Sequence, residues 1–209
     1  MAIIDKVLKI RITLTEEILG TQPGDKKIHT TFVGSRSGDA DKLAEEQSHL
    51  PAVELVEKSM TYFHRVDGVP AYVNYMIKGF FKDACSMLSR KEGTESSKLK
   101  AYKKVIDGTI FVQPRFIPIV GQLSVKDTAG DFKPLPDCER PIRISDRNGE
   151  RVALCHSEAL PAGSTMDIEI QLMNEEHETV VREWLDYGRF RGLGQWRNSG
   201  KGTFTWEEI

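Results

Sequence analysis

The sequence predicts an α+β chain with the βαββαβ order of a ferredoxin-like (RRM-like) domain. Three observations predict it. Val7–Thr15 and Thr165–Leu172 alternate apolar and polar residues with β-branched enrichment, the pattern of a half-buried strand. Met76–Leu88 and Glu175–Tyr187 carry apolar residues at helical spacing, and each is followed by a short strand pattern, Thr109–Val112 and Thr203–Trp206. The expected organisation is one domain over residues 1–209, with a loop and helical insertion at 20–60 and a hairpin insertion at 122–151. With 39% hydrophobic residues the chain has enough apolar material for a core.

In the first strand, Leu8, Ile10, Ile12 and Leu14 form the face expected to be buried. Gly20 to Gly38 is punctuated by Pro23-Gly24-Asp25, Gly34 and Ser37 and reads as loop. Asp41 to Met60 carries helix formers divided by Pro51. Two short extended pieces then flank Asp67-Gly68, a tight-turn signal. The helix after them is expected to begin at Lys78 or Gly79. A second, basic helix is expected over Glu95–Val105, capped by Ser96 or Ser97. Pro114 and Pro118 confine the strand at Thr109 to an edge or an exit. Arg140–Ser145 and Glu150–Cys155 flank Asn148-Gly149, the strongest short hairpin signal in the chain, with Arg140, Arg143, Arg147 and Arg151 as a basic ribbon. In the strand at Thr165, the inward residues are Met166, Ile168, Ile170 and Leu172.

The net charge of −2 gives no global reason to expect a nucleic-acid partner. The distribution is uneven. Lys78 to Lys104 holds eight cations against three acids, whereas acids gather at Asp39–Glu57 and Asp167–Glu183. A basic face and an acidic face are expected. Cys85, Cys138 and Cys155 fit no zinc or redox spacing and read as thiols of a reducing compartment. The start of the sequence lacks the apolar stretch of a signal peptide, so a cytoplasmic protein without membrane, metal or cofactor is expected.

Two stretches suit phosphate. Arg191–Gly202 holds Gly192, Gly194, Gly200 and Gly202 together with Arg191, Arg197 and Lys201, and no acid lies between Gly188 and Gly202. Such a loop tolerates positive φ and lets the backbone approach a ligand closely. A helix beginning at Lys78 or Gly79 would offer free N–H groups to an anion, with Lys78 and Lys82 one turn apart.

Gly192-Leu193-Gly194, five residues, then Gly200-Lys201-Gly202 resembles the glycine-rich loop of the RAMP superfamily, the RNA-binding proteins of CRISPR-Cas effector complexes. The second part of the resemblance is Arg65, Asp67–Tyr72 and Ile77–Ala84, which are similar to the first-helix region of backbone subunits in those complexes. Gly79, Lys82 and Ala84 agree with that region. Asn74–Lys78 and Phe80-Phe81 depart from it, which implies a divergent or differently used member. The resemblance implies an RNA-binding site made of Arg65, Lys78, Gly79, Lys82, Arg189, Arg191, Gly192, Gly194, Trp196, Arg197, Gly200, Lys201 and Gly202. It also implies head-to-tail assembly along a guide-like RNA, other effector subunits as partners, and a β-hairpin thumb within Gln122–Arg151.

Three function classes follow. The first is a non-catalytic RNA-binding protein, with Phe80, Phe81 and Trp196 as candidate stacking surfaces. The second is a metal-independent endoribonuclease, for which His29 and His64 are the acid–base candidates, with Tyr62 and Lys78 near His64 in sequence. In another subtype an Asp of the first loop cuts RNA, a place that Asp25, Asp39 or Asp41 would take. The third is an anti-CRISPR-type decoy that mimics or caps a backbone subunit through its acidic insertion.

Overall fold

The computed structural model describes residues 3–23, 60–121, 137–146 and 149–209. In chain order its first strands are β1 (Lys6–Leu14), β2 (Ile18–Leu19), β3 (Gln22–Pro23), β4 (Thr61–Tyr62), β5 (His64–Val66) and β6 (Val69–Val73). Helices α1 (Asn74–Leu88), α2 (Glu95–Lys98) and α3 (Tyr102–Thr109) follow. Next come strands β7 (Ile110–Gln113), β8 (Phe116–Pro118), β9 (Asp137–Asp146), β10 (Gly149–Leu160) and β11 (Thr165–Leu172). Helix α4 (Glu178–Arg191) and strand β12 (Phe204–Glu208) close the chain. The chain divides into two compact units, one of residues Met1–Ile18, His64–Pro134 and Leu160–Ile209, the other of Leu19–Phe63 and Leu135–Ala159.

The first unit is built on an antiparallel sheet ordered β12-β1-β11-β7. Taken with α1 between β1 and β7 and α4 between β11 and β12, this is the ferredoxin-like βαββαβ arrangement. Alternation in β1 and β11 decides the register. Leu8, Ile10 and Ile12 stand opposite Ile170, Ile168 and Met166, and a slip of one residue would turn this whole set to the other face. Fully burying each such side chain stabilises the fold by about 1.5–3 kcal/mol.

The helices cover that apolar face. Helix α1 buries Ile77, Phe80, Phe81, Ala84 and Cys85, and α4 buries Val180, Val181, Trp184 and Leu185. Phe81 packs on Trp184, and Phe80 meets Phe204 edge-on, both with centroids 5.4 Å apart. Phe80 and Phe81 are therefore both core, and neither is available to stack on a base. Trp184 donates its indole N–H to the buried Ser96 hydroxyl at 2.9 Å. The opposite face is mainly polar across the two central strands, with Lys9, Arg11 and Thr13 beside Asp167, Glu169 and Gln171 and with Val7 and Phe111 flanking Gln171, and Arg11 grips Asp167 through two bonds of 2.8 and 2.7 Å. That guanidinium holds the Asp167 carboxyl below its ordinary range.

The basic segment after α1 differs from expectation. It is broken at Ala101, whose φ of 51° is left-handed, into α2 and α3. Thr94 is the cap of α2, accepting from the Ser97 amide, and the Glu183 carboxylate accepts from the Glu95 amide at 2.6 Å. Both donors are among the first four amides of a helix, which have no partner inside it. A second sheet of this unit, β5-β6-β8, turns at Asp67-Gly68, where both φ values are positive as a two-residue hairpin requires.

The second unit pairs β9 with β10 from Glu158↔Asp137 to Gly149↔Asp146, and β10 also meets β4 in parallel through Ser157↔Thr61. Gly20 leaves room for the β4 backbone, since a Cβ there would lie 2.6 Å from the Tyr62 carbonyl carbon. The expected hairpin at Asn148-Gly149 is present as strands, with its turn at 147–148 outside the described residues. Arg140 does not join a surface ribbon: it is buried and donates to the Cys155 sulfur at 3.8 Å. Most of the expected acidic insertion, including Asp39–Glu57, and residues 122–136 of the expected thumb also lie outside the described residues.

Gly188 provides the fold's clearest test. A Cβ there would overlap the Phe204 ring, so α4 approaches β12 this closely only without a side chain. Gly188→Val is expected to destabilise the protein by about 1–3 kcal/mol through overpacking. Chemical denaturation checks it.

Candidate nucleic-acid interface

The candidate interface is assembled by α1, the strand that enters it, and the loop that leaves α4. Strand β6 runs into α1 without an intervening loop, because Asn74 is held twice. Its amide donates to the Arg115 carbonyl at 2.9 Å and its side-chain amide donates to the Val112 carbonyl at 2.8 Å. The helix therefore begins four residues before Lys78. Lys78 and Gly79 lie in the second turn, where backbone amides bond within the helix, and the anion site expected at a helix start there is not formed.

Lys78 and Lys82 serve another contact. Lys78 Nζ donates to the Asp107 carbonyl at 3.1 Å and lies 5.4 Å from the centre of the Phe111 ring, while Lys82 pairs with the Asp107 carboxylate at 2.7 Å. The two lysines tie α1 to the C-terminal turn of α3, where cations are favoured by the helix dipole. Partial burial lowers the Lys78 pKa, against the pull of Asp107.

After α4 the chain turns at Gly192, with φ 66°, and the two glycine pairs clasp each other. Leu193 N–H donates to the Gly202 carbonyl and Gly202 N–H to the Glu17 carbonyl, both at 2.8 Å. A Cβ on Gly202 would overlap the Leu193 carbonyl oxygen, and φ there is also positive, at 70°. Gly192 and Gly202 thus permit backbone to meet backbone. Gly200 is different: its φ of 87° ends a short 3-10 turn over Arg197–Ser199, and nothing stands within 4 Å of where its Cβ would be. Leu193 is buried, and Gly194 N–H donates to the Tyr72 hydroxyl at 3.0 Å.

Although the loop has no acid in sequence, it has acids in space. One oxygen of Asp83, on α1, accepts from Arg191 Nε and from Arg197 Nη1, each at 2.8 Å. Arg191 also donates to the Asn198 side-chain oxygen at 2.6 Å, and Lys201 pairs with Glu17. Arg189 lies over the Phe190 ring with Asp186 at 3.9 Å. Among the described residues these four cations meet three carboxylates, Asp83, Asp186 and Glu17, an excess of one positive charge. Any contribution to phosphate binding comes from position more than from total charge.

Tyr72, Tyr75, Met76, Gly79, Phe80, Leu193, Gly194 and Arg197 line a cleft of about 300 Å³. Of the residues expected from sequence, the structure brings Gly79, Gly194 and Arg197 together here, with Arg191 joined to them through Asp83. Lys78 and Lys82 are directed to Asp107, Arg189 to Asp186, and Arg65 lies on β5. Trp196 is 40% exposed with φ 54°. Sequence reasoning misses Tyr72, Tyr75, Asp83 and Glu17. Tyr75 depends on the helix start: with α1 beginning at Asn74 it stands four residues from Gly79 on one face, but that start is set by carbonyls distant in sequence. The Tyr72–Gly194 bond joins residues 122 apart and has no local signal.

Of the acid–base candidates, His64 stacks on Phe116 with centroids 4.3 Å apart and Lys78 Nζ donates to the Asp107 carbonyl, while His29, Asp25, Asp39 and Asp41 lie outside the described residues. Among the described residues no helix is long and apolar enough to cross a membrane.

No protein-family model matches the chain, and no curated protein matches it. Among solved structures, the chain is similar to one of Type III-B Cmr-beta bound to cognate target RNA, with TM-score 0.46 and 13% identity over 97% of this chain and 60% of that one. It is also similar to a chain of a Type IV-B CRISPR complex, with TM-score 0.48 and 13% identity over 98% of this chain and 90% of that one. The chain thus spans 60% of the length of the first of these.

Asp83→Asn tests the fork. Removing the carboxylate leaves two guanidiniums facing one neutral oxygen, and hydrogen bonds to charged groups contribute about 1.5–3 kcal/mol each. A fall of about that size in thermal or denaturant stability is expected, together with faster amide exchange in residues 192–202.

Proposed function

We propose that this chain is an RNA-binding protein resembling the guide-RNA-lining backbone subunit of a CRISPR-Cas ribonucleoprotein. It tracks a single strand by phosphate contacts from the glycine-rich loop and assembles head to tail along the RNA with further copies and other effector subunits. The observation that carries this reading is the convergence of two distant segments, α1 and the loop after α4, on one cleft that holds Arg197. The loop spacing Gly192-Leu193-Gly194 and Gly200-Lys201-Gly202, and its resemblance to the RAMP loop, support the same reading.

Each part has a role in it. The clasp of Gly192 and Gly202 holds the loop in one shape before RNA arrives, which lowers the ordering cost of binding. Arg197 uses Nη1 on Asp83, and its other N–H donors bond to nothing among the described residues. Those donors meet phosphate. With an excess of one charge at the loop, affinity builds up over successive copies rather than within one. The β9–β10 hairpin takes the place of the thumb. In this reading the RNA is held rather than cut; His64 lies against Phe116 and Lys78 Nζ on the Asp107 carbonyl. A head-to-tail interface of this kind does not close, so assembly length follows RNA length.

Size-exclusion chromatography with multi-angle scattering and absorbance ratio, on protein purified without nuclease, is expected to show an RNA-bearing multimer. Arg197→Gln is expected to weaken binding of a short single-stranded RNA and to reduce the slope of log K against log salt by about 0.7 for each phosphate that is no longer neutralised. A clean monomer that binds no added RNA would overturn the proposal.

A further inference from the structure

Gly79 occupies an unexplained position. It sits in the interior of α1, where glycine is less stable than alanine by about 0.8–1 kcal/mol. No packing contact requires it, since nothing stands within 4 Å of where its Cβ would be. Gly192 and Gly202 are glycine because backbone lies against them; Gly79 instead faces an open cleft.

Two tyrosines of the same cleft are equally unexplained by the fold. Tyr75 lies one helical turn before Gly79 and is 67% exposed, a large ring left at the cleft rim. Tyr72 is the opposite case. It is 3% exposed, its hydroxyl oxygen accepts from Gly194 N–H, and its own proton has no acceptor among the described residues. A buried hydroxyl with an unused donor costs free energy unless a partner arrives. Burial also raises the Tyr72 pKa above its ordinary value, so the phenol stays protonated and remains a donor. Arg197 borders the same space.

We propose that this cleft is a single-nucleotide pocket, in which one RNA base lies over Gly79 against the Tyr75 ring. The Tyr72 hydroxyl donates to a base or ribose oxygen, and the free edge of Arg197 meets the adjoining phosphate. The size decides the stoichiometry: about 300 Å³ is at the lower end of ligand pockets and suits one nucleotide, not a run of them. Aromatic stacking is tolerant of base identity, whereas one buried donor prefers an acceptor. The proposal rests on the RNA-binding reading above and adds to it the residues that receive a base.

The test is anisotropy of a fluorescein-labelled oligouridylate with the full chain, with melting temperature measured on every variant. Tyr75→Ala is expected to weaken binding about 5- to 150-fold, the loss of one base–aromatic stack, while Tyr75→Phe retains affinity. Gly79→Ala is expected to raise the melting temperature, and Gly79→Leu, which fills the pocket, to lower affinity without unfolding the protein. Tyr75→Ala and Gly79→Leu proteins that bind as tightly as wild type, while Arg197→Gln binds weakly, would overturn the pocket and leave the phosphate reading standing. Wild-type protein that fails to bind the oligouridylate at low salt would overturn both.

Discussion

One carboxylate oxygen of Asp83 receives the guanidiniums of Arg191 and Arg197, and the placement of the glycine-rich loop depends on it. Asp83 is on α1, Arg191 is the last residue of α4, and Arg197 is within the loop. The fork therefore fixes the loop against the one helix with which it forms a cleft. The Asp83 carboxylate is largely enclosed by the two arginines, so its removal leaves both guanidiniums without their shared acceptor. The backbone clasp of Gly192 and Gly202 adds a second restraint, and the Gly194–Tyr72 bond a third. Three independent ties on one short loop make it a preformed surface, suited to a ligand that it does not need to wrap.

The fold alone does not decide where a ligand binds, and here it points away from the obvious surface. In an RRM the open face of the sheet carries aromatics that stack on bases. The corresponding face here carries Lys9, Arg11 and Thr13 against Asp167, Glu169 and Gln171, with Arg11 neutralised by Asp167. Phe111, opposite Gln171 on that face, is half-buried with Lys78 Nζ 5.4 Å from its centre, so the face offers little to a stacked base. The aromatics and the unengaged donors lie instead at the junction of β6, α1 and the loop after α4. The name ferredoxin-like thus describes how the core is built, and the proposed site lies at the crossovers.

Much of the core is legible in the sequence because its signals are local. The alternation of Leu8, Ile10, Ile12 and Leu14, and of Met166, Ile168, Ile170 and Leu172, places both central strands within a residue or so of where they are found. The start of α1 is not legible, because the anchors of Asn74 are the carbonyls of Val112 and Arg115, far later in the chain. The same holds for the charge of the loop. A run from Gly188 to Gly202 free of acids suggests an uncompensated basic patch, but Asp83 and Glu17 reach it from far away in sequence. Long-range partners also explain why Lys78 and Lys82, which by sequence suit phosphate, hold α3 instead. The glycines stand out in the sequence, but their uses do not: two serve backbone contact, one a turn, and Gly79 an open cleft.

The most direct measurement is photo-crosslinking of the protein to a single-stranded RNA, with adducts located by mass spectrometry. If the cleft and its loop receive the RNA, adducts fall in two peptides, the one spanning Tyr72 to Gly79 and the one spanning Gly192 to Gly202, with Tyr75 and Trp196 as the principal acceptors. Adducts confined to the β1–β11 face, at Lys9, Arg11 or Gln171, or absent from both peptides, would contradict that placement.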